Sequence, residues 1–436
     1  MSAQTQTQSH PDSNLTLVEK VESPQARAQR LSVGVLVTLL GVILLFMAFT
    51  TNETGRIALS DALADVKLPT IEVPGLATVL VASLLVLGAG IGYLTGRIHG
   101  RLRTALAVIA GVGVLVGFLV WAAASSNLPF TLTSQLNLTL EYATPLFFGV
   151  LGGVLAERAG VVNIAIEGMF LTSAFAASLT YSITKSFIAA LIAAAIAGLL
   201  MAGVLALFTL RYLVDHVIIG VVINLLATGL TGFIYQQLVA KNPSEYSSVT
   251  PMLPLSIPGL RDIPFLGPIL FSLRPLTYLA FIAVPLVWFL IFRTKWGLRV
   301  RSVGEHPHAA DTVGINVIWT KASAVLLGGI FAGLGGAYFT IGSVGAFQDN
   351  NPTAGYGFIA LAAVIMGRWH PILGAFVALF FGFCRALAQT TKLMALPIPG
   401  DFIEMLPYLA TVIAVAGLVG QVRAPAADGD HFVKTH

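Results

Sequence analysis

An all-α, polytopic membrane bundle is the fold class this sequence predicts, and three observations predict it. Of its 436 residues 56% are hydrophobic and only 10% charged, against about 25% charged in a soluble globular domain. The mean hydropathy is +0.86. Apolar runs of spanning length, about 20 residues, recur along the whole chain.

The elements follow in order. Residues 1–30 are polar and read as a disordered cytoplasmic tail. The apolar run from Leu31 is too long for the core of a cleaved signal and ends AFTTNET, with no small-x-small site. Spans are expected at 31–50, 76–96, 104–123, 138–156, 164–183, 187–209, 217–239, 276–293, 321–342, 372–389 and 403–421. A shorter run, GFIALAAVIMG at 357–367, covers about half of a ~30 Å hydrocarbon core at ~1.5 Å per residue. It reads as a half-helix that neighbouring protein must shield. The bundle therefore has about 10–12 transmembrane helices.

Basic residues orient it. Sixteen of the 24 Lys and Arg fall in alternate connections, among them Arg97, Arg101, Arg103, Arg158, Arg211 and the group Arg293, Lys295, Arg299, Arg301 and Lys321. Such connections face the cytoplasm. With an even number of crossings both termini lie inside. The net charge of +4 is then loop charge, and it argues for contact with membrane lipid and for no nucleic acid. The single cysteine, Cys384, lies in an apolar run and reads as packing.

Two connections are long. The outer one, 240–275, is too rich in proline for one helix and reads as an ordered external platform. The inner one, 294–320, contains EHPHAADTVG, where His306 can cap, Pro307 suits the first helical position and Gly314 can terminate. A helix of two turns is marginal alone in water. Either the loop's own apolar residues or a cytoplasmic partner must hold it.

Enzymatic chemistry finds no foothold. No lysine follows a glycine, so there is no P-loop. His306 and His308, two apart on a helix, point in different directions and make a poor metal pair. The chain is expected to carry no catalytic residue, no metal and no cofactor of its own.

What remains is a set of polar residues at membrane depth, where ionisable groups usually face a bundle interior or a water-filled path. Asn163 and Glu167, in GVVNIAIEGMF, lie four apart and are expected on one helical face, either lining a pore or locking helices, the other readings of Glu167 being a pair with Arg158 or a helix cap. Asp215 should cap the span from 217. Asn224, Tyr235, Gln236 and Gln237 lie within that span or at its outer end. Arg385 is expected to snorkel outward, and Asp401 with Glu404 has capping-box spacing. The run LGGIFAGLGGAYFTIG, 327–342, offers small faces for close helix packing.

The runs FGVLGGVLAERAGVVNIAIEGMFLTSAFAA, RSVGEHPHAADTVGINV, GGIFAGLGGAYFTIG and GFIALAAVIMGRWHPILGA, in that order, resemble the permease subunits of bacterial ABC importers. The likeness is to the branched-chain amino acid, simple sugar and nucleoside permease family, and most closely to its nucleoside-type branch. It covers roughly 135–422, so that 31–130 is a transmembrane extension, 131–422 a permease core and 423–436 a cytoplasmic tail.

The resemblance implies a bacterial inner-membrane subunit that forms half of a pore. It pairs with a second permease subunit, with an ATP-binding cassette ATPase that binds ATP and Mg, and with an extracytoplasmic substrate-binding lipoprotein. It makes the helix at 307–313 the coupling helix, with Glu305, Pro307, Ala309, Ala310, Asp311 and Gly314 at the ATPase contact. The 240–275 platform and the 345–355 loop would receive the binding protein. For a nucleoside, Asn163, Phe170, Asn224 and Gln236 are pathway residues of suitable type, with Glu167 beside them. The rival readings are an ion-coupled transporter titrating at Glu167 or Asp215, a permease for simple sugars, and a poreless scaffold.

Overall fold

A computed structural model describes residues 24–51, 54–61, 67–96, 98, 100–347, 352–415 and 423–434. Residues 1–23, Arg97, 348–351 and 416–422 lie outside the described residues, and with them most of the expected N-terminal tail. The remainder of that tail is not irregular: helix α1 (Pro24–Ala48) begins seven residues before the apolar run.

Three helices form an N-terminal unit: α1 lies along α2 (Gly75–Thr95), and α2 along α3 (Arg101–Ala124). One end of this unit is closed by a small sheet in the order β2-β1-β3. Strand β1 (Thr54–Ala58) pairs antiparallel with β2 (Thr70–Pro74) and parallel with β3 (Phe130–Thr131). The apolar interior of the unit, with Leu44, Val79, Trp121 and Phe130, runs on into Leu387, Ala388, Leu396 and Ile403.

The larger body is built around α4 (Leu132–Arg158) and α13 (Val317–Ala337). Around these two stand α5 (Ile166–Thr184), α6 (Phe187–Ala206), α7 (His216–Ile234), α10 (Pro275–Arg293) and α15 (Pro371–Leu393). Polar side chains set the starts. Ser186 caps α6, Asp215 caps α7 through Val217 and Ile218, and Asn316 caps α13. Asp215 thus does what its position predicts, and those two N–H groups hold its carboxyl below the usual range.

The small-residue face of α13 does the packing expected of it. A Cβ on Gly328 would come 2.6 Å from the Gly152 carbonyl oxygen of α4, and one on Gly333 would lie 3.0 Å from Ala195 Cα of α6. Such approach gives dispersion contact where lipid offers no hydrophobic drive. Helices α6, α7 and α13 each end in a wider π turn, at Leu207–Arg211, Tyr235–Val239 and Tyr338–Val344.

The long proline-rich connection is ordered, as expected. It holds α8 (Pro243–Tyr246), α9 (Leu266–Leu270) and the short pair β4 (Leu255–Ser256) with β5 (Ser272–Leu273). We call this the platform end. The opposite, loop end carries α11 (Lys295–Glu305) and α12 (Pro307–Thr312). Among the described residues nine helices are long and apolar enough to cross a membrane.

Three expectations need correction. The run at 403–421 is broken near Met405 into α16 (Gly400–Glu404) and α17 (Leu406–Val415). Asp401 and Glu404 form no capping box: Lys392 Nζ takes both, at 3.1 and 3.0 Å. Arg385 does not snorkel but turns inward, its guanidinium carbon 4.1 Å from the centroid of the Tyr356 ring.

Candidate functional site

The half-helix expected at 357–367 is α14 (Tyr356–Met366). At ~1.5 Å per residue it covers about 16 Å, so one of its ends lies near the middle of the bundle. Its C-terminal end is at the loop end, where Trp369 O accepts from Arg158 Nε at 2.8 Å and the Trp369 indole donates to Glu157. Its N-terminus is therefore the buried one. The descending chain reaches it from the platform end: a Cβ on Gly345 would lie 2.9 Å from Pro251 Cγ, Phe347 N donates to Ser178 Oγ at 3.2 Å, and Thr353 lies beside Glu167.

A helix start leaves four N–H groups without intrahelical partners, which is costly inside a membrane. Glu167 answers that need here. Its Oε1 accepts from Thr353 Oγ1 at 2.6 Å and Gly355 N at 3.0 Å, and its Oε2 accepts from Gly357 N at 2.7 Å. The carboxylate also complements the positive end of the helix dipole. Gly355, at φ 79°, makes the left-handed turn into the helix. At Gly357 any Cβ would collide with the Glu167 backbone, so the first turns of α5 and α14 touch.

Asn224 performs the matching task for α5. From α7 its Oδ1 accepts from Gly168 N at 2.7 Å, and its Nδ2 donates to Ile164 O at 3.0 Å. The two helices that start inside the bundle, α5 and α14, are thus each capped by a side chain from another helix.

The other pathway candidates fall elsewhere. Asn163 precedes α5, so it does not share a helical face with Glu167. It is fully buried, its Nδ2 is 3.9 Å from Met169 Sδ, and its Oδ1 has no partner among the described residues. Phe170 presents no free face in this conformation. A Cβ on Gly149 or Gly335 would come 2.8 or 2.7 Å from its ring, and Phe339 is 5.7 Å away between centroids. Gln236 is exposed on the π turn that ends α7. Arg158 binds the Trp369 and Arg368 carbonyls and does not pair with Glu167.

A cavity of about 630 Å³ lies between α3, α4, α9 and α15, lined by Gly111, Leu115, Leu140, Ile269, Leu379 and Phe383 among others. Its wall is nearly all apolar. A polar solute would find no partner there.

At the loop end, α12 stands out from the body. Pro307 opens it and is buried with Ala310, whereas Ala309 is exposed and Asp311 half-buried. His306 precedes it without a side-chain cap, and Gly314, at φ 81°, terminates the turn. Val313 is 74% exposed and Trp319 67% exposed. Glu305 turns away from this ridge, its Oε2 accepting from Ala426 N at 3.2 Å. Among the described residues no group of three or more His, Cys, Asp or Glu is placed to hold a metal.

Several residues here were not singled out from sequence. Lys321, read as loop charge, is 1% exposed and donates to Gly160 O and Asp430 O. Thr353 and Asp428 escaped notice because the groups that face them, Glu167 and Lys321, lie far away in the chain. The Asp-Gly-Asp turn signal at 428–430 was the one available hint of structure in that segment.

The sequence comparison says what kind of chain carries this geometry. The family model described as "Branched-chain amino acid transport system / permease component" matches residues 135–418. The chain belongs to this permease family. It is 40% identical to the guanosine ABC transporter permease protein NupQ of Bacillus subtilis over 306 residues, which are 68% of this chain and 95% of that protein. It is 36% identical to the nucleoside ABC transporter permease protein NupC of Lactococcus lactis, again over 68% and 95% of the two chains. A putative glucose ABC transporter permease protein of Haloferax volcanii, TsgC13, is 33% identical over 60% of this chain and 78% of its own. No solved structure matches the chain. As a permease, this multi-pass chain is a translocation component and not an enzyme.

Proposed function

We propose that this permease forms one half of the translocation pore of an ATP-driven importer for nucleosides. The loop end faces the cytoplasm of a bacterial inner membrane. ATP and Mg are bound by a separate ATPase, which seats α12. The platform end receives an extracytoplasmic binding lipoprotein, and a second permease subunit completes the pore.

The observation that carries this reading is the mechanical line from α12 to the mid-depth caps. At Gly304, the end of α11, a Cβ would collide with Arg158 O, so the pair α11–α12 bears directly on the turn between α4 and α5. Six residues beyond that turn stands Glu167, holding α14. A push on the exposed ridge of Ala309 and Val313 is thereby delivered to the two helix starts that would have to part for a solute to pass. The nucleoside assignment draws on the guanosine and nucleoside permeases that this chain resembles over 68% of its length.

The ion-coupled reading finds less support. Glu167 is engaged by three donors as a fixed acceptor, and Asp215 is an exposed cap.

The test is uptake of labelled guanosine and uridine by cells that lack other nucleoside transporters and express the chain with its partner subunits. Accumulation should be competed by nucleosides and not by glucose or ribose. It should stop on ATP depletion and survive collapse of the ion gradients. Uptake that follows the ion gradient would exclude the proposal.

A further inference from the structure

We propose that the C-terminal segment, residues 423–433, is a strap that locks the coupling element α11–α12 to the α4–α5 turn, so that it belongs to the coupling machinery. This rests on α12 being the seat of the ATPase. The segment lies beyond the family match, which ends at 418, and charge alone would make it a solvated tail.

Its contacts are not those of a tail. Ala427 N donates to Gly304 O at 2.9 Å, and Ala426 N to Glu305 Oε2 at 3.2 Å, fastening the strap to the end of α11. Lys321 Nζ, arriving from α13, donates to Gly160 O at 3.2 Å and to Asp430 O at 3.3 Å, so one buried ammonium joins strap and turn. Phe432 fills the elbow formed by Val303 of α11, Ala310 of α12 and Val317 of α13 and is 8% exposed. The His308 ring lies against it, tilted by 50°, at 5.2 Å between centroids. His431 meets His216, the first residue of α7, at 5.3 Å.

The turn is shaped to receive this segment. Gly160, at φ 79°, leaves the space that the strap fills: a Cβ there would come 2.7 Å from Ala427 O. Without the strap, α12 would rest on α11 and α13 with its elbow empty. A force on its outer face could then rotate it and leave the turn in place. With the strap, elbow, turn and α7 start move together.

The experiment uses the complete transporter, with its ATPase and second permease, in proteoliposomes. Guanosine uptake and ATP hydrolysis are read on the same preparation. The variants are a chain ending at Arg423, Phe432→Asp, Phe432→Leu as the conservative control, and Ala309→Arg in the seat itself. For the shortened chain and Phe432→Asp the expected result is a complex that still co-purifies and hydrolyses ATP, with guanosine moved per ATP lowered at least tenfold. Phe432→Leu should stay within about twofold of the parent. An unchanged ratio in the shortened chain overturns the strap. So does a loss of assembly in that chain with a normal ratio in whatever complex remains, since the segment would then serve folding only. Ala309→Arg separates the two readings: if it leaves uptake intact, the coupling assignment falls, whereas if it stops uptake while the shortened chain is normal, only the strap falls.

Discussion

Glu167 is an ionisable residue at mid-bundle whose oxygens are committed to the first turn of another helix. Replacing it with Gln keeps the volume but gives one end two donors. Either Gly357 N or the Thr353–Gly355 pair then loses its acceptor, and a buried donor left unsatisfied costs about 1–3 kcal/mol. Glu167→Gln should lower the melting temperature of the purified protein and reduce uptake per complex without preventing membrane insertion; unchanged melting would mean that the cap contributes nothing. A second residue prediction concerns Asp428. Burial pushes its carboxyl up to about 7, against the opposing pull of Lys321, with Asp430 adding to the rise. The folded strap therefore keeps a proton that the unfolded segment releases near the ordinary value of ~3.9. Strap stability is then greatest at low pH and is lost as pH rises toward 7, levelling off above. Proteolysis at the C-terminal segment should accordingly be faster at pH 8 than at pH 5.5, and Asp428→Asn should flatten the difference; an identical profile in the variant would count against this assignment. Capping was one of the readings the sequence left open for Glu167, whereas the helix it caps and the role of Asp428 were not legible. Glu167 and Asn163 stood out as polar residues in an apolar region, but the donors that decide the role of Glu167 lie 186 or more residues away, and no local pattern pairs them.

At the scale of elements, apolar length was the readable signal and irregular backbone was not. Every expected span up to 389 has its helix, since about 20 apolar residues have few other stable fates in lipid. The helix α11 escaped because KWGLRVRSVGE is a short, charged segment that hydropathy does not register. The strands at the platform end escaped because pieces of two to five residues carry little alternation. The half-helix was visible by its length, while its pairing with Glu167 as the cap was not. That half-helix gives the sharpest element-level prediction. Because any Cβ at Gly357 meets the Glu167 backbone and not a flexible side chain, the two helix starts must separate to admit even Ala. Overpacking of this kind costs about 1–3 kcal/mol, and separation also lengthens the Glu167 to Gly357 bond. Gly357→Ala should thus lose most uptake and show a lower melting temperature. The neighbouring Ala360→Gly, which only removes a methyl, should retain uptake, and equal behaviour of the two variants would refute the close-approach argument.

At the scale of the whole molecule, the permease core and the N-terminal unit meet along one seam. The 306 residues shared with NupQ make up 95% of that protein but 68% of this chain, and the family model begins at 135, so NupQ has no counterpart to a unit of this size. The seam is nonetheless well made. Leu387, Ala388, Leu396 and Ile403 of the core join the interior of the unit, Thr133 Oγ1 donates to Leu59 O, and Ser126 Oγ donates to Met394 O at 3.2 Å. These contacts lie on the start of α4, on α15 and on its outer connection, away from Glu167, α14 and α12. Burial at the seam therefore stabilises the core without entering the line from α12 to the caps. Removal of residues 1–128 should leave a chain that inserts, assembles and moves guanosine at a rate within about threefold of the parent. Its melting temperature should fall, because lipid fills a seam shaped for protein less well than the original side chains. Loss of uptake in an assembled complex of the shortened chain would place α1–α3 inside the transport machinery, and an unchanged melting temperature would show that the seam contributes nothing to stability.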